Sequence, residues 1–187
     1  AVVLMRMHPT SLPVAIPLLV LWGLSPWLTW WTGRVRTRRA PRLSAEQGRF
    51  LGRLSRRTWA FFEDFVTADD HWLPPDNIQE HPSLIVARRT SPTNIGLSLL
   101  ANLTAHDFGY AQTSAVIERT ANTLKTMESL PRYRGHFYNW YDTETLQPLP
   151  PLYISTVDSG NLAGHLLTLR QGLLAMPDEP VLARATF

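Results

Sequence analysis

The sequence predicts an all-α protein: an N-terminal transmembrane helix, then helical hairpins with long loops and a short β hairpin. Three observations predict it. Leu12–Trp31 is twenty residues without a charge. At ~1.5 Å per residue a helix of that length spans ~30 Å, about one hydrocarbon core. Four later segments repeat apolar residues every three or four positions, and signals for starting or stopping a helix bound them.

In the first segment, Pro13 and Pro17 lie near the start, where a missing N–H costs least. Pro26 is of the kind that membrane helices tolerate. Trp27, Trp30 and Trp31 gather at the far end, as an interfacial aromatic belt would. A secretory signal peptide fits less well, because no small-x-small site follows and the positive charge lies on the wrong side. A buried soluble helix is the other alternative, and the tryptophans beside an arginine run count against it. Ala1 without an initiating Met is what a piece of a longer chain would show.

The net charge of +3 hides an asymmetry. Residues 34–57 hold nine arginines and one acid, Glu46, so that stretch is +8, while residues 58–187 are −6. A basic linker over 34–43 therefore precedes an acidic body. By the positive-inside rule, everything after Arg34 is expected in the cytoplasm. Nucleic-acid binding is not expected, since such proteins spread positive charge over a folded face. The absence of Cys excludes disulfides, thiolate metal sites and cysteine nucleophiles.

Ser44 and Gln47 form a capping-box pattern for a helix over about 45–66, with Phe50, Leu51, Leu54, Thr58, Phe61, Phe62 and Phe65 at helical spacing. Residues 67–90 read as a loop with turn signals at Asp69-Asp70 and Pro74-Pro75. Ser91 caps a second helix with Pro92 at its first position; Ile95, Leu99, Leu100 and Leu103 form its stripe and Gly109 follows its end. A third helix runs over about 113–130, lined by Ile117, Ala121, Leu124 and Met127 and stopped by Pro131. Phe137–Asp142 alternates as a short strand does, and Thr143-Glu144-Thr145 can turn it into a hairpin. Asp158 or Ser159 is expected to cap the fourth helix, with Leu162, Leu166, Leu169 and Leu173 on one face. The tail beyond Pro177 has no pattern. Four such helices suggest part of an α/α assembly; four cannot close a toroid, so residues 44–187 are either a small bundle or part of a larger domain.

No phosphate-binding loop, dinucleotide fingerprint, zinc-protease motif or nucleophile elbow is present. No metal site or cofactor is expected: the six histidines are not at metal spacing, and Asp69-Asp70 lacks the D-x-D spacing of nucleotide-sugar transferases. Four loops instead combine aromatic and polar residues. Trp72–Glu80 carries Trp72, Asp76 and Asn77; Arg89–Gly96 carries Arg89, Thr93 and Asn94; Phe137–Asp142 carries Tyr138, Trp140 and Asp142; Val157–Leu166 carries Asp158. Sugar sites need aromatic plates for the apolar face of the ring and fixed polar groups for its hydroxyls. Thr93, Asn94 and Asp158 fall at helix N-termini, and strand alternation would send Tyr138, Trp140 and Asp142 to one face. The plain alternative is that the acids cap helices and the aromatics plug the loop layer.

The segments Arg57–Pro82, Ala87–Asn102 and Arg134–Leu167 resemble, in order, the central region of cyclic β-1,2-glucan synthases. The resemblance runs from about Leu12 to Ala175. It implies a multi-domain inner-membrane protein: a glycosyltransferase domain, transmembrane helices, a glycoamylase-like (α/α)6 toroid, then a phosphorylase-like domain. On that pattern this chain supplies the last transmembrane helix and an incomplete (α/α)6 domain. Its expected partners are a β-1,2-glucan chain, the lipid bilayer and the remaining domains. The family's middle domain closes linear glucan into rings by transglycosylation. Both the broken and the formed bonds are β-1,2, so configuration is retained, which normally needs two carboxylates roughly 5–5.5 Å apart. The resemblance implies that those carboxylates lie beyond Phe187, leaving the chain to line the cleft and inactive alone. A membrane-anchored helical scaffold and a fragment of an endo-β-1,2-glucanase are the alternatives.

Overall fold

The structure is a computed structural model and describes residues 12–34 and 43–178. It separates into two units, Ala1–Leu43 and Ser44–Phe187. Apart from Arg34 and Leu43, the basic linker lies outside the described residues, as does the tail after Asp178.

Within the first unit, helix α1 (Leu12–Thr32) includes Pro17 and Pro26. Pro13–Thr32 has a mean hydropathy of 1.4 and none of it is buried. Length and composition suit a membrane crossing. At its end Trp27 and Trp31 stack at 6.1 Å, and Arg34 lies 4.0 Å from the ring centre of Trp30.

The second unit is built from helices α2 (Ala45–Phe65), α3 (Pro92–Asp107), α4 (Thr113–Ser129) and α5 (Thr156–Ala175). The capping box on α2 is formed: Gln47 N–H donates to Ser44 Oγ at 3.2 Å, and Ser44 N–H donates to Gln47 Oε1 at 2.9 Å. Ser91 caps α3 through Asn94 N–H. Phe108 caps the end of the helix, and Gly109 after it has a φ of +70°, the left-handed conformation this position needs. The cap of α5 is Ser155, three residues before the expected Asp158, because the Ser155 hydroxyl accepts from Asp158 N–H at 3.1 Å. That leaves the Asp158 carboxylate free to turn toward α3.

Antiparallel packing joins α3 to α4, with Asn102 against Thr120 and His106 against Thr113. Along α3 and α5 the pairs run the same way, Gly96 with His165 and Leu103 with Gly172. These two helices are therefore parallel, and their N-termini share one end. The glycines let them approach closely: a Cβ on Gly96 would collide with the Cβ and ring of His165. The core joins Leu73, Ile95, Leu99, Leu103, Met127, Leu130, Tyr141, Leu162 and Leu169. On α4 the buried face is Val116, Thr120, Thr123 and Met127, one step round from the expected stripe, and Ile117 is exposed. The threonines tolerate burial because they are paired, Thr120 with Asn102 and Thr123 with the Trp72 carbonyl.

Strand structure is confined to two-residue pairs among the described residues. β1 (Ile78–Gln79) pairs with β2 (Ile85–Val86), β3 (Arg89–Thr90) with β6 (Tyr141–Asp142), and β4 (Arg132–Tyr133) with β5 (His136–Phe137), all antiparallel. Phe137–Asp142 is thus not one strand: its ends belong to different pairs. The expected turn at 143–145 does form, and Leu149 N–H returns to the Trp140 carbonyl at 2.9 Å. The loop 67–90, expected to be irregular, holds a 3-10 turn (Ala68–Asp70) and the β1–β2 pair. Asp70 is buried under it, accepting from Arg88 at 2.7 Å and Thr143 at 2.9 Å.

Candidate functional site

The parallel arrangement of α3 and α5 brings the loops before each helix to one end of the unit. Sheet pairing then sets the register between them, Arg89 opposite Asp142 and Thr90 opposite Tyr141. Two linked clusters result.

Asp76 is the centre of the first. Its carboxylate accepts from Arg89 at 2.9 and 3.2 Å, from Asn77 at 3.0 Å and from Asn94 at 3.4 Å. The Arg89 guanidinium also lies 5.0 Å from the ring centre of Trp140. The second cluster surrounds Asn139, which is buried. Its neighbours fix the amide orientation: nitrogen donates to Asp158 Oδ2 at 2.9 Å, and oxygen accepts from Trp140 Nε1 and Tyr153 Oη, both at 2.6 Å. Thr93 Oγ1 donates to Asp158 Oδ1 at 2.5 Å, and Asn161 donates to Thr93 at 3.2 Å. Trp140 joins the clusters, its face toward Arg89 and its N–H toward Asn139.

Seven expected site residues meet here: Asp76, Asn77, Arg89, Thr93, Asn94, Trp140 and Asp158. Three have other surroundings. Trp72 is held at φ +62°, its carbonyl accepting from Thr123, and its ring lies 5.6 Å from the Arg119 guanidinium, which also lies 5.3 Å from the Trp59 ring. Tyr138 packs against the core and meets Tyr141 edge-on at 6.4 Å. Asp142 turns its Oδ1 into its own turn, accepting from Thr145 N–H at 2.7 Å, Thr145 Oγ1 at 3.0 Å and Glu144 N–H at 3.0 Å. The Thr145 amide leads in holding its carboxyl below the usual carboxylate range.

Asn139, Tyr153 and Asn161 belong to the cluster but were not expected there. Strand alternation put Asn139 on the face opposite Trp140. Residues 138–140 leave strand geometry, so the indole N–H can reach the neighbouring amide. An amide set among four aromatics was the available signal. No group of three or more His, Asp or Glu side chains among the described residues is arranged to hold a metal ion.

The arrangement is an aromatic ring fixed beside an ion pair, amides and hydroxyls at one end of a helical unit. Solved structures share this fold. A glucoamylase-like protein of Bacteroides fragilis NCTC 9343 matches with a TM-score of 0.57 and 21% identity, over 73% of this chain and 33% of that one. One from Bacteroides caccae ATCC 43185 matches at 0.52 and 21%, over 64% and 30%. The chain therefore has a glucoamylase-like helical fold. Its sequence is related to the cyclic β-(1,2)-glucan synthase NdvB of Rhizobium meliloti (strain 1021), 44% identical over 162 residues. The match covers 86% of this chain and 6% of that protein's length. No protein-family profile matches the chain.

Proposed function

We propose that the linked clusters line the glucan-binding cleft of a membrane-bound cyclic β-1,2-glucan synthase, in the domain that closes linear glucan into rings by retaining transglycosylation. The observation that carries this reading is the position of Trp140, a ring plate clamped between Arg89 and Asn139 beside the Asp76 network. A plate with fixed donors and acceptors around it suits a pyranose ring and its hydroxyls. Similarity to a cyclic β-(1,2)-glucan synthase supports the substrate class.

The chain contributes binding rather than bond chemistry in this reading. Asp76 and Asp158 are already engaged by donors on both oxygens. A general acid or nucleophile needs an oxygen turned to the substrate. The reacting carboxylates come from further along the parent chain, whose later helices complete the (α/α)6 toroid. Helix α1 is the last of several membrane spans, with residues after Arg34 in the cytoplasm; a reporter fused after Arg42 gives a cytoplasmic signal if so and a periplasmic one if not.

Trp140→Ala in the intact synthase tests the site. Cyclisation weakens while chain elongation and protein abundance hold. Loss of a ring that served only as a plug would lower abundance, at roughly 3–5 kcal/mol, and leave the surviving enzyme cyclising normally.

A further inference from the structure

The N-terminal half of helix α2 carries an apolar stripe that the described residues of its unit do not cover, whereas Phe61, Phe62 and Phe65 further along are partly buried. Every residue from Ala45 to Leu54 is exposed. Phe50 is 57%, Leu51 46% and Leu54 51% exposed. The helix is held from its other face: the Tyr110 hydroxyl meets the Gly52 carbonyl at 3.3 Å and Ser55 Oγ at 2.8 Å, and Trp59 is the buried residue. An amphipathic helix that packs on its more polar face leaves its apolar stripe for another partner.

Charge identifies that partner. Arg49, Arg53 and Arg57 follow one another at four-residue steps, a single row along the flank of the stripe. None of the three forms an ion pair among the described residues, whereas Arg56 is paired with Glu63 at 2.7 Å. Covering the stripe with another protein helix would desolvate this row, which is costly unless that helix brings acids placed to pair with it. In a lipid headgroup layer, long arginine side chains reach phosphates while their neighbours Phe50, Leu51 and Leu54 enter the acyl boundary.

We propose that the N-terminal half of α2 lies in the headgroup layer of an anionic membrane, as an interfacial helix. The chain connectivity allows this: residues 33–44 alone separate the apolar helix α1 from Ala45. The surface is independent of whether the Trp140 cluster binds glucan.

The test places the photoreactive residue p-benzoylphenylalanine at Phe50 or Leu54 of the intact protein, in the membranes of cells that make it. Trp22 and Glu118 serve as reference positions. Phospholipid adducts form at 50, 54 and 22 and are absent at 118. Adducts to protein at 50 and 54, whether to a later helix of the same chain or to another copy, would overturn the proposal. So would 50 and 54 reacting no more than 118. A lipid adduct missing at 22 alone would refute the span reading of α1 and leave the interfacial helix standing. Replacing Arg49, Arg53 and Arg57 by Gln lowers the lipid adduct at 54, each charge counting for about fivefold in affinity for an anionic surface. An unchanged yield would overturn the assignment to anionic headgroups.

Discussion

Thr93 Oγ1 and Asp158 Oδ1, sixty-five positions apart in the chain, meet at 2.5 Å and tie together the N-termini of α3 and α5. Asp158 is at the same time the partner of Asn139, so one carboxylate sets both the helix pair and the loop that carries Trp140. The candidate site is thus a consequence of helix packing. A hydrogen bond to a charged group is worth ~1.5–3 kcal/mol. Thr93→Val and Asp158→Asn each lower stability by about that much. A double-mutant cycle measured by denaturant unfolding shows coupling of at least ~0.5 kcal/mol between them. Strict additivity would mean the contact does not hold the helices.

Gly96→Ala tests the close approach of α3 and α5. The new methyl group meets the Cβ of His165 rather than the end of a flexible chain, so the helices must part. Overpacking of this kind costs about 1–3 kcal/mol. Gly160→Ala, where the structure has open space, leaves the melting temperature unchanged or raises it slightly.

Asp142 gives a pH dependence with a definite sign. Its folded pKa is depressed, first by the Thr145 N–H and also by the Thr145 hydroxyl and Glu144 N–H, with burial opposing. The stabilisation is therefore present above the unfolded carboxylate pKa and lost as pH falls through the lower folded value. Asp142→Ala removes the turn acceptor and lowers stability near neutral pH by about 1–2 kcal/mol. The difference from wild type narrows on acidification. A difference that stayed constant with pH would mean the charge is not engaged.

Arg119 is held between Trp59 and Trp72 and donates to the carbonyls of Phe62 at 2.6 Å and Val66 at 3.1 Å. Burial pushes its pKa down. Lysine has neither the planar fork nor the stacking surface. Arg119→Lys destabilises by about 2 kcal/mol in thermal unfolding, and Arg119→Gln by at least as much. A neutral Arg119→Lys would show that the stack is incidental.

Helices α2, α3 and α4 were legible because each had a local signal: the Ser44–Gln47 box, Ser91-Pro92 with Gly109, and Pro131. The loops were legible in residue type and less so in direction. Thr93, Asn94 and Asp158 fall at helix starts, and sequence could bring them to one end. It could not show that Trp72 would face Arg119, which a long-range contact sets; the turn that Asp142 closes is local, and reading Phe137–Asp142 as one alternating strand hid it. Asn139 was missed because alternation applies to a continuous strand, and Phe137–Asp142 is divided between two pairs. The face of α4 was misplaced by one position because Thr120 and Thr123 look exposed until their partners on other elements are known.

The measurement that bears most directly on the glucan reading is the affinity of linear β-1,2-glucan for the intact synthase and for its Trp140→Ala variant, by calorimetry. Binding is at least about tenfold weaker in the variant if Trp140 holds the sugar, the loss expected when an aromatic anchor worth ~1.4 kcal/mol or more is removed. Equal affinity in a variant that remains folded and fully expressed would contradict it.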